Sequence, residues 1–184
     1  MRRLTGLVVV LALLVIGPAG AKTPHFKYHV PSIIPGKAIG GLEVGMTKFE
    51  AKTTWGVPDD CFAYKGLTTC SYSFTGEIGP DWVAGYYVKK GRVVAVTVET
   101  SFKATANQKV KRLKTAKKIH VGSPIAEARR KYDIPLTGGG EAGLSRANLK
   151  QGRRCTSFYA PAAPYKVISS ITVGVCKSVI ELYF

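Results

Sequence analysis

The stretch GLEVGMTKFEAKTTWGVP at residues 41–58 is the main basis for predicting the fold, because its pattern occurs twice. It returns 77 residues later, over 118–135, as KIHVGSPIAEARRKYDIP. Of the 18 aligned positions, five are identical and four more are chemically similar. Similarity at a fixed spacing indicates one supersecondary unit built twice. The repeat constrains the architecture and says little about activity.

Each copy carries the signals of a short strand followed by a helix. In the first copy Thr47 and Glu50 have the spacing of a capping box, in which each side chain accepts a hydrogen bond from the backbone N–H of the other residue. Gly56 predicts where this helix ends. In the second copy Ser123 is the predicted N-cap, with Pro124 at the first helical position.

Hairpin patterns follow each helix and place the four cysteines. A two-residue turn at 65–66 sets Cys61 opposite Cys70 as a close, non-hydrogen-bonded pair, whose spacing suits a disulfide. A register shifted by one residue is the alternative. A meander in the second unit brings Cys155 beside Cys176, with bonding between the units as the alternative. Four cysteines in an exported chain predict two disulfides.

The strands predict a sheet with one covered face. Val94, Val96 and Val98 alternate with smaller or polar side chains. In the second unit a glycine-rich insertion at 138–154 comes first, and the predicted closing hairpin consists of strands at 167–175 and 179–184. The predicted fold class is α+β: two tandem helix-plus-antiparallel-sheet repeats, with the helices packed on one sheet face and the other face open. The strand aromatics divide between the core and a recognition surface on the open face: Tyr72, Phe74, Trp82, Tyr86, Phe158, Tyr159 and Tyr183.

The N-terminus is typical of a secretion signal. Arg2 and Arg3 precede an apolar run at 7–16 and small residues at 19–21. The apolar run is shorter than the roughly 20 residues that span a bilayer. We therefore expect a secreted or extracytoplasmic protein with no transmembrane helix after cleavage. Its predicted parts are a signal peptide at 1–21, an extended arm at 22–35, a first α+β repeat at 36–101, a basic connection at 102–115 and a second α+β repeat at 116–184.

Positive charge is the main indication of a partner. The chain has 27 Lys and Arg against 11 Asp and Glu, a formal net charge of +16, and residues 103–118 contain seven basic side chains and no acidic one. A basic patch indicates an anionic partner, here a protein, a cell-envelope polymer or a membrane surface. A solvated linker is the alternative, and nucleic acid is disfavoured because no recognised binding motif accompanies the charge. The predicted partner-binding residues are Lys109, Lys111, Arg112, Lys114, Lys117, Lys118, Arg129 and Arg130, with Lys131 beside them.

The sequence predicts no catalytic residue, metal site or cofactor. His25 and His29 lie four apart in the arm without further metal ligands, and His120 lies in the entry to the second unit. The predicted function is a secreted, non-enzymatic binding or interaction protein that uses the open sheet face and the basic patch. A secreted hydrolase or nuclease, using His120 with Glu43 or Glu141, is the alternative.

The order of these motifs resembles a known module. The matching parts are GLEVGMT at 41–47, a helix that ends in WGVP at 55–58, and GRVV at 91–94. In this order they are similar to the module of small envelope lipoproteins of the SmpA/OmlA (BamE-like) type and of the two-repeat β-lactamase-inhibitory proteins. The second unit resembles the second module of secreted actinobacterial proteins with the same cysteine layout. The resemblance implies helices on one sheet face and an open sheet that binds protein partners. Inhibition of a secreted hydrolase such as a β-lactamase is a further alternative function.

Overall fold

Strands make up most of the structure. The computed structural model describes residues 28, 30–76, 79–100, 112–137, 145–161 and 166–181, so the predicted signal peptide lies outside it. The helices within these ranges are α1 (Lys48–Trp55), α2 (Ile125–Tyr132) and α3 (Cys176–Glu181). None of the described helices is long and apolar enough to cross a membrane. The strands are β1 (Ser32–Ile34), β2 (Ala38–Ile39), β3 (Leu42–Glu43), β4 (Asp60–Tyr64), β5 (Leu67–Gly76), β6 (Gly79–Lys89), β7 (Arg92–Glu99), β8 (Lys114–Thr115), β9 (Leu136–Thr137), β10 (Ser145–Gln151), β11 (Arg154–Ala160) and β12 (Ser170–Val175).

The larger sheet has eight strands in the order β4-β5-β6-β7-β12-β11-β10-β9, all antiparallel. In its middle β7 pairs with β12, and Val96 lies opposite Val173. Strands of both predicted repeats therefore form one sheet, and the predicted fold class of two helix-plus-sheet repeats is wrong. The physical reason is that separate sheets would each leave another edge of unpaired backbone groups, which the β7–β12 pairing satisfies.

A second sheet of four strands, in the order β3-β2-β1-β8, contacts the larger one through β2 and β3. Within it β1 pairs antiparallel with β2 and parallel with β8, where Ile33 lies opposite Thr115. Ile33 is buried. Residues within the predicted arm at 22–35 thus form a core strand, and the end of the predicted connection at 102–115 pairs with it.

The main core lies between the larger sheet, the smaller sheet and helices α1 and α2. Trp55 of α1 is fully buried, donates its indole N–H to the Gly40 carbonyl at 3.2 Å and packs edge-on against Tyr72, with ring centroids 5.7 Å apart. Tyr86 and Phe158 are also fully buried. Among the strand aromatics with described side chains, Tyr72, Tyr86 and Phe158 are therefore core residues rather than a recognition surface, whereas Tyr159 is partly buried.

The predicted alternation along β7 is confirmed at Val96 and Val98, which are both buried in this core. At Val94 the pattern fails, because the pairing with β6 shifts by one residue between Tyr87 and Val88. This β-bulge makes Val93 a buried core residue and leaves Val94 partly exposed.

The opposite face of the larger sheet is covered in part by α3. This helix contacts β7, β11 and β12, and its Val179 packs with Ala95 and Cys155. A Cβ added to Gly174 would lie 2.8 Å from the Val179 side chain, so the missing side chain allows the close approach. The predicted open face and the predicted closing hairpin with a strand at 179–184 are therefore wrong over the described residues, because the segment after β12 turns back over the sheet as a helix.

The two helix starts differ. The capping box of α1 is confirmed: Thr47 Oγ1 accepts from the Glu50 N–H at 3.2 Å, and the Thr47 N–H donates to Glu50 Oε2 at 2.7 Å. The Glu50 pKa is lowered chiefly by that backbone hydrogen bond. At α2 the predicted cap is wrong, because Ser123 Oγ accepts from the His120 N–H at 3.1 Å and the N-cap position belongs to Pro124.

Cys61 is bonded to Cys70 with Cα atoms 4.1 Å apart, and Cys155 to Cys176 at 4.8 Å. The first pair has the predicted unshifted register, with Tyr64 opposite Leu67. Disulfides form and persist in oxidising compartments outside the cytoplasm. They agree with the secreted or extracytoplasmic localisation predicted from the N-terminal segment, which is confirmed.

Candidate functional site

Helix α2 carries the most concentrated positive charge among the described residues. Ile125 and Ala128 are buried against the core, and the Tyr132 ring stacks on Phe158 with centroids 5.6 Å apart. These contacts fix the inner side of the helix. Arg129 and Arg130 are left exposed to solvent in its last turns, where cations also interact favourably with the helix dipole.

The turn before α2 is attached to the C-terminal end of the same helix by two lysines. Lys131 Nζ donates to the Lys117 carbonyl at 2.8 Å, and Lys117 Nζ donates in return to the Lys131 carbonyl. The Lys117 ammonium also lies 4.8 Å from the centroid of the Tyr132 ring, a cation–π contact. This arrangement holds the turn and the helix in one rigid basic unit.

One acidic side chain within this unit is already neutralised. Glu127 forms an ion pair with Lys131 at 2.6 Å, and the hydrogen bond from Lys131 lowers the Glu127 pKa. Arg129, Arg130 and Lys118 have no acidic ion-pair partner among the described residues. Their charges are therefore available to an external anion.

The structure brings part of the predicted partner-binding set together. The tight turn between β8 and α2 carries two of these lysines, Lys117 and Lys118. It is closed by hydrogen bonds from the Lys118 N–H to the Thr115 carbonyl and from the Thr115 N–H to the Ile119 carbonyl, at 2.8 and 2.9 Å. Lys109 and Lys111 lie outside the described residues. We use the name α2 basic surface for the exposed cations of residues 112–130, which lie in and before β8, in the turn and on the helix: Arg112, Lys114, Lys117, Lys118, Arg129 and Arg130.

Arg129 and Arg130 line a shallow depression of about 430 Å³ beside the end of α2. Ala126, Asp133, Ile134 and Pro135 also line it. Two exposed arginines that line an open depression can each form paired hydrogen bonds with a phosphate or carboxylate. The depression is too open to enclose a small molecule, so it fits one group of a larger ligand.

Among the described residues, His120 and Glu43 do not form the pair that the hydrolase alternative proposes. Its Nδ1 lies 2.7 Å from the Val121 carbonyl, which can only accept, so this nitrogen carries the proton. Among the described residues, the acid whose pKa His120 influences is the partly exposed Glu127, which is paired with Lys131. Glu43 is instead paired with Lys37 at 3.3 Å, and Glu141 lies outside the described residues. His25 and His29 also lie outside them, and no group of three or more potential metal ligands occurs in the part of the chain that the structure describes.

Sequence reasoning missed a second exposed feature, the edge strand β4. Phe62 is 50% exposed and Tyr64 is 65% exposed, although both are large and apolar. The signal was present in the sequence, since Phe62 and Tyr64 are two residues apart in a predicted hairpin strand and so share a face. Only the sheet order shows that β4 lies at the end of the larger sheet.

Comparisons with known proteins support the fold alone. No protein-family model matches the chain and no curated protein sequence does. An extracellular protein containing an SCP domain from Bacillus anthracis is similar in structure, with a TM-score of 0.50, 10% identity and coverage of 74% of this chain and 45% of that one. A cysteine-rich secretory protein from Staphylococcus aureus gives a TM-score of 0.52, 14% identity and coverage of 81% and 50%. The chain thus spans about half the length of each solved structure.

These comparisons correct the resemblance drawn from sequence motifs. The similar structures are SCP-type and cysteine-rich secretory proteins, so the assignment to the SmpA/OmlA (BamE-like) or β-lactamase-inhibitory module is wrong. The physical reason is that the matched motifs specify only local structure, namely helix caps and turns. A capping box at Thr47 and glycines with positive φ at Gly45 and Gly91 satisfy a helix start and two turns, which many unrelated folds require.

Proposed function

We propose that this secreted protein is a non-enzymatic binding protein whose α2 basic surface binds an anionic polymer of the cell envelope. The observation that carries the proposal is the unbalanced charge of a rigid unit. Residues 112–133 contain seven Lys and Arg against two acids, and one of these acids, Glu127, is paired with Lys131. Such a surface attracts anions over a distance and holds them by hydrogen bonds at contact.

The shape of the surface favours a polymer over a small anion. Its cations are spread along the turn and the helix, and the depression at Arg129 and Arg130 is open. A chain with repeated phosphate or carboxylate groups can contact several of these cations at once, so that weak individual contacts add. A small anion would contact one or two cations and would compete poorly with salt.

Rigidity also supports a binding role. The reciprocal bonds between Lys117 and Lys131 hold the turn against the helix before any ligand arrives. A surface that is ordered beforehand loses less conformational entropy on binding. Extracellular and secretory descriptions of the structurally similar proteins agree with an envelope or external location for such a ligand.

The experiment measures binding of the mature chain to a glycerol-phosphate polymer, a polycarboxylate and a neutral glycan. We expect both anionic polymers to bind and the neutral one not to bind. Affinity should fall steeply as salt shortens the screening length from about 10 Å at 0.1 M to about 3 Å at 1 M. Equal affinity for the neutral glycan would contradict the proposal, as would capture of acidic proteins alone.

A matched pair of variants locates the surface. Arg129→Glu with Arg130→Glu should weaken polymer binding about tenfold or more, which corresponds to about 1.4 kcal/mol. Lys89→Glu with Lys90→Glu makes the same change in net charge at the exposed end of β6 and the turn that follows it, and should have a much smaller effect. Equal losses in the two variants would show that only net charge matters. Turnover of RNA, peptidoglycan or an ester by the wild type that disappears in His120→Ala would contradict the non-enzymatic role.

A further inference from the structure

Strand β4 is an exposed sheet edge that is held in shape. Among the described residues it pairs only with β5, and the Cys61–Cys70 disulfide ties the two strands together. The Cα separation of 4.1 Å marks Cys61 and Cys70 as a non-hydrogen-bonded pair. The backbone N–H and C=O groups of Cys61 therefore point away from β5. The same holds for Ala63, two residues further along.

The side chains of this edge are unusual for a strand that stays unpaired. Edge strands in monomers commonly carry charges or proline within the strand. Here Phe62 and Tyr64 occupy one face and are at least half exposed, and the charges lie at the two ends. Asp59 and Asp60 stand at the start, and Lys65 follows the last residue. The edge thus has an apolar centre and ends of opposite charge.

We propose that two copies of this chain pair edge to edge through β4, antiparallel, about a two-fold axis at Phe62. In this register Cys61 of each copy lies opposite Ala63 of the other, so the outward backbone groups of both residues are satisfied. Phe62 of one copy lies opposite Phe62 of the other. The Asp59–Asp60 end of each strand lies beside Lys65 of the other copy. A two-fold interface of this kind is self-complementary.

Charge and the backbone hydrogen-bonding pattern favour this register over parallel pairing and over shifted antiparallel registers. Parallel pairing would place the acidic ends together and the lysines together, and like charges disfavour it. A shift by one residue would set outward backbone groups against inward ones. A shift by two residues would pair Cys61 with Cys61, or Ala63 with Ala63, of the other copy. The remaining residue of the two would then lie opposite a position outside β4. The second copy is therefore the occupant that matches the edge in backbone, apolar centre and charge.

The overall positive charge does not oppose this pairing strongly. Helix α2 contacts β10 and β11, towards the other end of the sheet from β4. Each α2 basic surface would thus lie at an outer end of the paired sheets. Repulsion between surfaces separated by more than the screening length of about 8 Å is weak at physiological salt.

The first measurement is the mass of the mature chain by light scattering after size exclusion, across about two decades of concentration. We expect a monomer–dimer equilibrium that Lys65→Glu shifts at least tenfold towards monomer. Lys90→Glu is the matched control, because both lysines have positive φ, 47° and 50°, and each precedes a glycine in a hairpin turn. A monomeric wild type would overturn the proposal, as would equal shifts in the two variants.

A cross-linking pair tests the register. Phe62→Cys should form a disulfide between copies under mild oxidation, because a directly opposite, non-hydrogen-bonded pair has suitable Cα spacing. Tyr64→Cys, which faces Asp60 of the other copy, should cross-link far less. Peptide mapping by mass spectrometry checks that Cys61–Cys70 persists. Equal cross-linking of the two variants would overturn this register and the proposed axis.

Discussion

Thr97 and Thr172 lie opposite each other at the centre of the larger sheet, with their hydroxyl oxygens 2.9 Å apart. Thr97 belongs to β7 and Thr172 to β12, so this hydrogen bond crosses the pairing that joins the two predicted repeats. Both side chains are buried. A polar contact at this position stabilises one register of the two strands, because a shifted pairing would leave buried hydroxyl groups without partners.

We therefore expect coupling between these two threonines. Thr97→Val should lower the free energy of unfolding by about 1–3 kcal/mol, since the remaining buried hydroxyl loses a partner. Thr172→Val should have an effect of the same order. The double variant should cost less than the sum of the single ones. Urea unfolding of the four proteins measures this, and strict additivity would contradict the coupling.

Gly174 should not tolerate a side chain. An added Cβ would lie 2.6 Å from the Val94 carbonyl oxygen and 2.8 Å from the Ala95 Cβ. Gly174→Ala should destabilise the protein by about 1–3 kcal/mol through overpacking. Adding Val179→Ala should not restore stability, because the Val94 and Ala95 contacts do not depend on the α3 side chain. Thermal unfolding of the single and double variants tests this, and full rescue would show that α3 alone sets the limit.

The two disulfides should contribute unequally to stability. Cys155 and Cys176 are separated by 21 residues, and Cys61 and Cys70 by nine. The chain-entropy model gives about 2.6 kcal/mol for the shorter loop and about 0.7 kcal/mol more for the longer one. Replacing each pair with serines and measuring urea unfolding tests the order. A larger loss from the Cys61–Cys70 replacement would indicate that this bond acts mainly on the folded β4 edge.

Glu99 should make the protein less stable as pH rises, whereas an ion-paired acid makes a protein more stable as pH rises. Burial raises the Glu99 pKa above its ordinary value of 4.5. The folded state therefore binds this proton more tightly than the unfolded state does, and stability falls as pH rises from the unfolded pKa through the folded one. Glu99→Gln should be more stable than the wild type at pH 7, and the difference should shrink as pH falls from 7 towards 4.5. An unchanged difference across that range would contradict this account.

Local features of the fold were predictable from the sequence because they depend on neighbouring residues. Thr47 and Glu50 are three apart, and the turn at 65–66 places Cys61 opposite Cys70. The pairing of β1 with β8 joins residues about 80 apart, and no local pattern encodes it. The sequence predicts a turn at 176–178 and a strand from 179 where the structure has a helix at 176–181, because the apolar residues match either period over so short a length.

The candidate site was predictable to a similar degree. The density of basic residues alone predicts Lys117, Lys118, Arg129 and Arg130 as binding residues. Their exposure was also predictable, because charged side chains are rarely buried. The contact between Lys117 and Lys131 was not predictable, because it depends on the geometry of a turn that folds back along the helix. The β4 edge was missed for the same reason, since edge position is a property of the whole sheet.

The parallel pairing of Ser32 and Ile33 with Lys114 and Thr115 has a consequence for how the chain folds. The smaller sheet cannot close until residues near 115 are present, so a strand made early must wait for a partner made much later. Contacts this distant in sequence slow folding, since a long loop must be ordered first. A chain interrupted before Lys114 would carry Ile33 with no strand on that side, and its newly exported N-terminal part would depend on the later half for protection from proteases and aggregation.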